Sequence, residues 1–177
     1  MTKQVLDKSF VPYLDCETIE KAVTRIAQEI TEQHRDTNPL FIAILNGSFM
    51  FASDLFKKID IPAEICFIKL ASYKGTKSTG QVVTAIGLDT ELYGRDVIIL
   101  EDIVDTGKTL SEFLPQLEHQ QPRSLKICAL LHKKAATVHP IAIDYLGFEI
   151  PNLFVVGYGL DYNGYGRNLH EIMQISE

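Results

Sequence analysis

Three carboxylates stand within five residues of one another in this chain: Glu101, Asp102 and Asp105. They follow an apolar run, Val97-Ile98-Ile99-Leu100, and precede Thr106-Gly107-Lys108-Thr109. Two adjacent carboxylates can accept hydrogen bonds from vicinal hydroxyls and can help hold a hydrated divalent cation. A further carboxylate close by suits proton transfer to or from a ring nitrogen. The Thr-Gly-Lys-Thr turn offers backbone N–H groups and two hydroxyls at a helix start, which is chemistry for a phosphate. It is not a Walker A loop, because that motif needs glycine five positions before Gly107 and Asp102 stands there. The plainer alternative is a solvated acidic turn with Asp105 as a helix N-cap. Against it, Glu101 and Asp102 directly abut a buried strand, where carboxylates are costly unless they bind something.

These groups need a strand to deliver them and a helix to follow. Residues 97–100 read as a strand buried on both faces. That places the charges at the carboxyl end of a parallel strand, where open α/β sheets bind ligands. A similar unit precedes it: a strand at 40–45, Asn46-Gly47-Ser48, then a helix over 49–58. Before that, an arm over 1–14 carries Phe10, Val11 and Tyr13 for an edge strand. Asp15 can cap a helix that runs to about His34, with Ile19, Val23, Ile26 and Ile30 at helical spacing. Strands are expected at 63–70 and 81–86, and the polar, glycine-flanked stretch 71–80 between them reads as a mobile lid. Leu110, Phe113, Leu114 and Leu117 give the next helix its apolar face. Strands at 124–131, 144–150 and 154–156 follow, the first two separated by a basic, irregular connection at 132–140. Alternating strands and helices indicate a parallel sheet covered on both faces.

At 177 residues the chain is one domain by length, and its 46% hydrophobic and 23% charged composition is ordinary globular. A net charge of −6 argues against nonspecific nucleic-acid binding. No apolar run reaches membrane-spanning length. Cys16, Cys66 and Cys128 are odd in number and widely spaced, so no disulfide framework is implied and a reducing cytoplasm fits. The five histidines show no zinc spacing.

Residues 101–109, Glu-Asp-Ile-Val-Asp-Thr-Gly-Lys-Thr, resemble the phosphoribosyl-pyrophosphate (PRPP) motif of the type I phosphoribosyltransferases. Residues 154–169, Phe-Val-Val-Gly-Tyr-Gly-Leu-Asp-Tyr-Asn-Gly-Tyr-Gly-Arg-Asn-Leu, resemble the purine and pyrophosphate end of the hypoxanthine(-guanine) phosphoribosyltransferases. The resemblance runs from about Leu40 to the C-terminus. It implies a single α/β domain over 1–177 with the type I phosphoribosyltransferase fold. The fold is a mostly parallel twisted sheet flanked by helices (core about 35–140), a small hood from 1–14 and about 141–177, and a mobile lid loop.

The resemblance also implies residue roles. Glu101 and Asp102 hold the ribose hydroxyls and, with Asp161, Mg²⁺. Asp105 is the acid/base, and Thr106, Gly107, Lys108 and Thr109 cradle the 5′-phosphate. Asn46 and Gly47 form the pyrophosphate loop, entered through a cis Leu45–Asn46 peptide, and Arg167 clamps the pyrophosphate. Relatives often carry a basic residue where this chain has Asn46, so backbone amides there would serve alone. Lys133 contacts the 6-oxo group of the purine, with Lys134 leaving the register open by one. Phe154 stacks on the base, Val155 touches it through its backbone, and Ser72 and Tyr73 are the lid pair.

The implied reaction is Mg²⁺-dependent transfer of the phosphoribosyl group from PRPP to hypoxanthine, and to guanine, with release of pyrophosphate. This is purine salvage by a cytoplasmic homodimer or homotetramer. A PRPP-sensing regulator of RNA or DNA on the same fold is the rival from another class; the acidic balance and the intact Lys133, Phe154 and Asp161 disfavour it. A transferase for uracil or adenine is disfavoured by the tail motif.

Overall fold

The computed structural model describes residues 1–73 and 82–176. Its central strands are β3 (Leu40–Leu45) and β6 (Asp96–Val104), paired in parallel. β3 is apolar throughout and β6 over residues 97–100, because both faces of each are covered. Leu40, Ile42, Val97 and Ile99 face one core; Phe41, Ala43, Ile98 and Leu100 face the other. Neighbours complete a six-stranded sheet in the order β5 (Val82–Ile86), β4 (Glu64–Tyr73), β3, β6, β7 (Ser124–His132), β8 (Tyr145–Glu149). Only β5 runs antiparallel, as the return arm of β4. The other five strands are parallel, as their apolar runs predict.

Helix α1 (Cys16–Gln33) starts where Asp15 Oδ1 accepts the Thr18 N–H at 2.7 Å, a bond that also lowers the Asp15 pKa. Its buried stripe of Ile19, Val23, Ile26 and Ile30 lies against one face of the sheet with Phe51 and Leu55 of α2 (Phe49–Phe56). Each such burial stabilises by about 1.5–3 kcal/mol, so packing rather than helix propensity holds α1 in place. Helix α3 (Lys108–Glu118) buries Leu110, Phe113 and Leu117 on the opposite face.

A second sheet stands beside the carboxyl ends of the first. It has the order β1 (Lys3–Val5), β2 (Lys8–Leu14), β10 (Ile172–Ile175), β9 (Val155–Val156), around Val5, Phe10, Val156 and Met173. Two expectations change here. The strand carrying Phe10, Val11 and Tyr13 is internal rather than an edge, because β10 returns from the C-terminus to pair with it. Pro12 is tolerated there at a register irregularity between Ile172 and Met173, where the ladder is already interrupted. Residues 145–149, assigned with the hood by the boundary at 141, instead form β8 beside β7 in the main sheet. Arg25 of α1 reaches that edge, its Nη2 donating to Leu146 O at 2.7 Å. Of the expected lid, Ser72 and Tyr73 are described as β4 backbone in register with Val83 and Val82; residues 74–80 lie outside the described residues.

The amino ends of β6 and β7 carry a buried polar network remote from the acidic motif. Asp96 accepts from Arg123 through both carboxylate oxygens, and from Ser124 Oγ at 2.7 Å. His34, 4% exposed, lies with its ring nitrogens 3.2 Å from Thr37 Oγ1 and 3.3 Å from the Tyr145 hydroxyl. Burial, and then the Lys126 charge, push the His34 pKa below its ordinary value, with Asp96 opposing. As the pH falls below about 6.5 the unfolded chain takes up a proton that folded His34 resists, so stability falls. The Arg123 guanidinium holds Asp96 well below the carboxylate range, so its contribution is lost only below about pH 4. The melting temperature is therefore expected to drop between about pH 7.5 and about pH 5.5, and to drop less in a His34→Asn variant; an equal drop in both rejects the assignment.

Candidate active site

The chain leaves β3 to form β4 on one side of the sheet, then crosses to β6 on the other. The carboxyl ends of β3 and β6 therefore flank the point where strand order reverses, the place at which open α/β sheets bind ligands. The acidic motif and the Asn46-Gly47 turn lie there, with Lys133 after the neighbouring β7 and Phe154, Val155 and Asp161 beside it.

From β3 the chain turns through a cis Leu45–Asn46 peptide into Gly47. Ser48, fully buried, donates its hydroxyl to Ile44 O at 2.6 Å and ties the turn back to the strand. Gly47 lies flat against the neighbouring strand end. A Cβ built on it would meet Asp102 Oδ2 at 1.7 Å. Gly159 presses on the same turn, where an added Cβ would lie 2.0 Å from Gly47 O. The Asn46 side chain is exposed.

At the end of β6, Glu101 and Asp102 are half-buried side by side. Burial, and then the adjacent Asp102 charge, raise the Glu101 pKa well above the carboxylate range. Two neighbouring carboxylates in such a place are poised for hydroxyl donors or a cation. The turn that follows is braced from outside. Val138 and His139 donate their N–H groups to Thr106 O at 3.0 and 2.9 Å. Gly107 adopts φ +79° as the N-cap of α3, a left-handed conformation that suits glycine, with no room for a Cβ beneath His139 O. Glu101, Asp105 and residues 106–109 line a cavity of about 280 Å³ with its floor on Ile44, Leu45 and Leu70.

A second cavity of about 240 Å³ opens on the other side of Asp105, between Lys133, Phe154, Val155 and Asp161. Lys133 follows β7 directly, and its side chain is only 9% exposed; its Nζ donates to Asp105 Oδ2 at 3.0 Å. Lys134 instead points out, 70% exposed and 3.6 Å from Glu149 Oε2, so Lys133 is the lysine in the cavity. Phe154 leaves its ring 44% exposed at the cavity while Tyr162 meets it edge-on at 5.8 Å. Asp161 accepts Arg167 Nη2 through Oδ1 at 2.7 Å and the Gly164 N–H through Oδ2 at 2.6 Å. The same guanidinium donates to Gly159 O at 2.7 Å.

Two apolar residues of this cavity were not singled out from the sequence. Ile103 lies two residues before Asp105 on its strand, and Leu160 directly precedes Asp161. Strand alternation about Asp105 was the available signal for Ile103; nothing local distinguishes Leu160 from a core leucine.

Among the described residues no cluster of three or more His, Cys, Asp or Glu side chains forms a metal cage. The donor set nevertheless suits Mg²⁺, which keeps several waters and binds through one or two carboxylates together with substrate phosphates. Glu101, Asp102 and Asp161 are hard oxygen donors of that kind beside the cavities.

Residues 12–163 match the phosphoribosyl transferase domain family. The chain is similar to the hypoxanthine-guanine phosphoribosyltransferase of Bacillus subtilis, 43% identical over 154 residues that cover 86% of each chain. It is also similar to the hypoxanthine-guanine-xanthine phosphoribosyltransferase of Tritrichomonas foetus, 39% identical over 160 residues covering 90% of this chain and 87% of that one. A hypoxanthine phosphoribosyltransferase structure from Staphylococcus aureus superposes with a TM-score of 0.87 at 38% identity, covering 94% of this chain and 91% of that one. In sequence and in fold, the chain belongs to the hypoxanthine(-guanine) phosphoribosyltransferases of the type I phosphoribosyltransferase family.

Proposed function

We propose that this protein transfers the phosphoribosyl group of PRPP to hypoxanthine and guanine, forming IMP and GMP with release of pyrophosphate in purine salvage. The observation that carries the reading is the Lys133–Asp105 pair at 3.0 Å in a cavity edged by Phe154, immediately beside the Thr106–Thr109 turn. A base and a phosphate bound in the two cavities would meet across Asp105.

In this reading the turn receives the 5′-phosphate on its N–H groups and hydroxyls, and Glu101 and Asp102 accept the ribose hydroxyls. The amides of Asn46 and Gly47 and the Arg167 fork hold the pyrophosphate. Lys133 donates to the 6-oxo group, which adenine lacks, and Phe154 packs on the ring face. A purine nitrogen bonds to C1 of the ribose as the C1–oxygen bond breaks and pyrophosphate leaves with its electron pair. The proton released from the imidazole ring passes to the Asp105 carboxylate. Glu101, Asp102 and Asp161 would hold Mg²⁺, which when bound would supply charge neutralisation for the leaving group.

The reducing cytoplasm is the proposed setting, supported by three free cysteines; among the described residues no helix is long and apolar enough to cross a membrane. A homodimer or homotetramer is the proposed assembly, supported by half-exposed Phe49 and Met50 on α2.

The test is a spectrophotometric assay with PRPP and Mg²⁺, offering hypoxanthine, guanine, xanthine and adenine separately. Turnover of oxopurines and not of adenine is expected. Turnover of none of them, with PRPP still bound in calorimetry, rejects the enzyme and favours a PRPP-binding regulator.

A further inference from the structure

Beneath the two groups assigned to the base lies a hydroxyl that lines neither substrate cavity. Thr137 follows a short 3-10 turn (Lys134–Ala136) and is half-buried. Its Oγ1 lies 3.2 Å from Asp105 O and 3.2 Å from Lys133 O. His132 Nε2 approaches the same oxygen at 3.0 Å. A threonine hydroxyl has one proton to donate and can accept, so it shares that proton between the two carbonyls and accepts from the His132 N–H. The Lys133 N–H, in turn, donates to Val104 O at 2.9 Å. The backbones of Asp105 and Lys133 are thus stitched together from both sides, although 28 residues separate them in sequence.

We infer that Thr137 is a positioning residue for the purine subsite: its hydroxyl locks the roots of Asp105 and Lys133 so that their side chains meet the base in one geometry. The inference rests on the functional reading above, in which those two residues serve the base. A lysine carries a long, rotamer-rich stem, so a buried Nζ is aimed only as well as its Cα is fixed. Without the hydroxyl, Asp105 O and the imidazole lose a partner and Lys133 O keeps only the Ala136 N–H at 2.9 Å, so the Lys133 end of the turn loosens. The phosphate turn has independent bracing, because Val138 and His139 hold Thr106 O through backbone N–H groups that a side-chain change leaves intact. The effect should therefore fall on the base and spare PRPP.

The experiment compares wild type, Thr137→Val, Thr137→Ala and Thr137→Ser by steady-state kinetics, with melting temperatures alongside. Thr137→Val and Thr137→Ala are expected to raise KM for hypoxanthine about five- to tenfold, with KM for PRPP within about twofold, as suits loss of one hydrogen-bonding group. Thr137→Ser restores the hydroxyl and is expected to recover wild-type KM. A merely structural role would lower melting temperature and active fraction without separating the two KM values. Equal changes in both KM values, an unchanged KM for hypoxanthine, or a serine variant as poor as valine overturns the inference. A crystal structure of Thr137→Val reads the same point without turnover. Lys133 Nζ is expected to leave hydrogen-bond reach of Asp105, and a pair kept at its wild-type distance overturns the proposal. A wild type that uses no purine would instead reject the functional reading, which keeps the two failures apart.

Discussion

Asp105→Asn is expected to leave a folded protein whose kcat with hypoxanthine falls by about 10²–10⁴-fold, the range that a lost general acid/base accounts for. The substitution is nearly isosteric. An amide oxygen still accepts from Lys133 Nζ, now 3.0 Å from Asp105 Oδ2, so the cavity keeps its shape. What the amide loses is the capacity to take the ring proton. The carboxylate is 47% exposed, so its replacement should move the melting temperature little. KM values for both substrates are expected to change less than kcat, because the interaction removed is made in the transition state. The measurement is steady-state turnover with both substrates varied, beside a thermal melt. A variant that melts like wild type and keeps full turnover would remove Asp105 from the chemistry and leave it the role of an anchor for Lys133.

Gly47→Ala should cost at least about 100-fold in turnover, for a reason unrelated to backbone freedom. Gly47 is not among the residues of left-handed conformation, so alanine imposes no backbone penalty there. The obstacle is Asp102. An added Cβ would stand 1.7, 2.4 and 2.9 Å from its Oδ2, Cγ and Oδ1. Rotating the carboxylate alone leaves its Cγ 2.4 Å from the added Cβ, so the Asp102 side chain or the Gly47 turn must shift. Displacement of about 1 Å in a positioning group can cost 10²-fold in rate. The expected signature is a raised KM for PRPP together with lowered kcat, and a melting temperature near that of wild type. If Gly47→Ala turned over PRPP within about threefold of wild type, Asp102 would not need its present position. The resemblance-based role for it in ribose binding would then fail.

Much of this molecule is legible locally. The apolar runs at 40–45 and 97–100 declared strands covered on both faces, and β3 and β6 are the centre of the sheet. Asp15 announced the start of α1, and the spacing of Ile19, Val23, Ile26 and Ile30 named its buried face. These signals are short-range: a side chain's own backbone, its neighbours at i+3 and i+4, and alternation along a strand. The strand-to-turn passage 101–109 was legible for the same reason, since acidic pair, glycine and helix start are contiguous.

What the sequence by itself determined, then, is the set of elements and the chemical character of their ends. Tertiary structure alone decided which ends meet. Nothing in the residues around 46 states that Gly47 lies under Asp102 and against Gly159. Lys133 and Lys134 are alike in sequence; only the exit path from β7 buries one on Asp105 and turns the other to Glu149. The return of Ile172–Ile175 to β2, and of Tyr145–Glu149 to the main sheet, escaped local reading because short apolar segments carry no address for their partners. Strand pairing is chosen by the total burial it permits, a sum over residues far apart in the chain, and the site sits where those long-range choices reverse the order of the sheet.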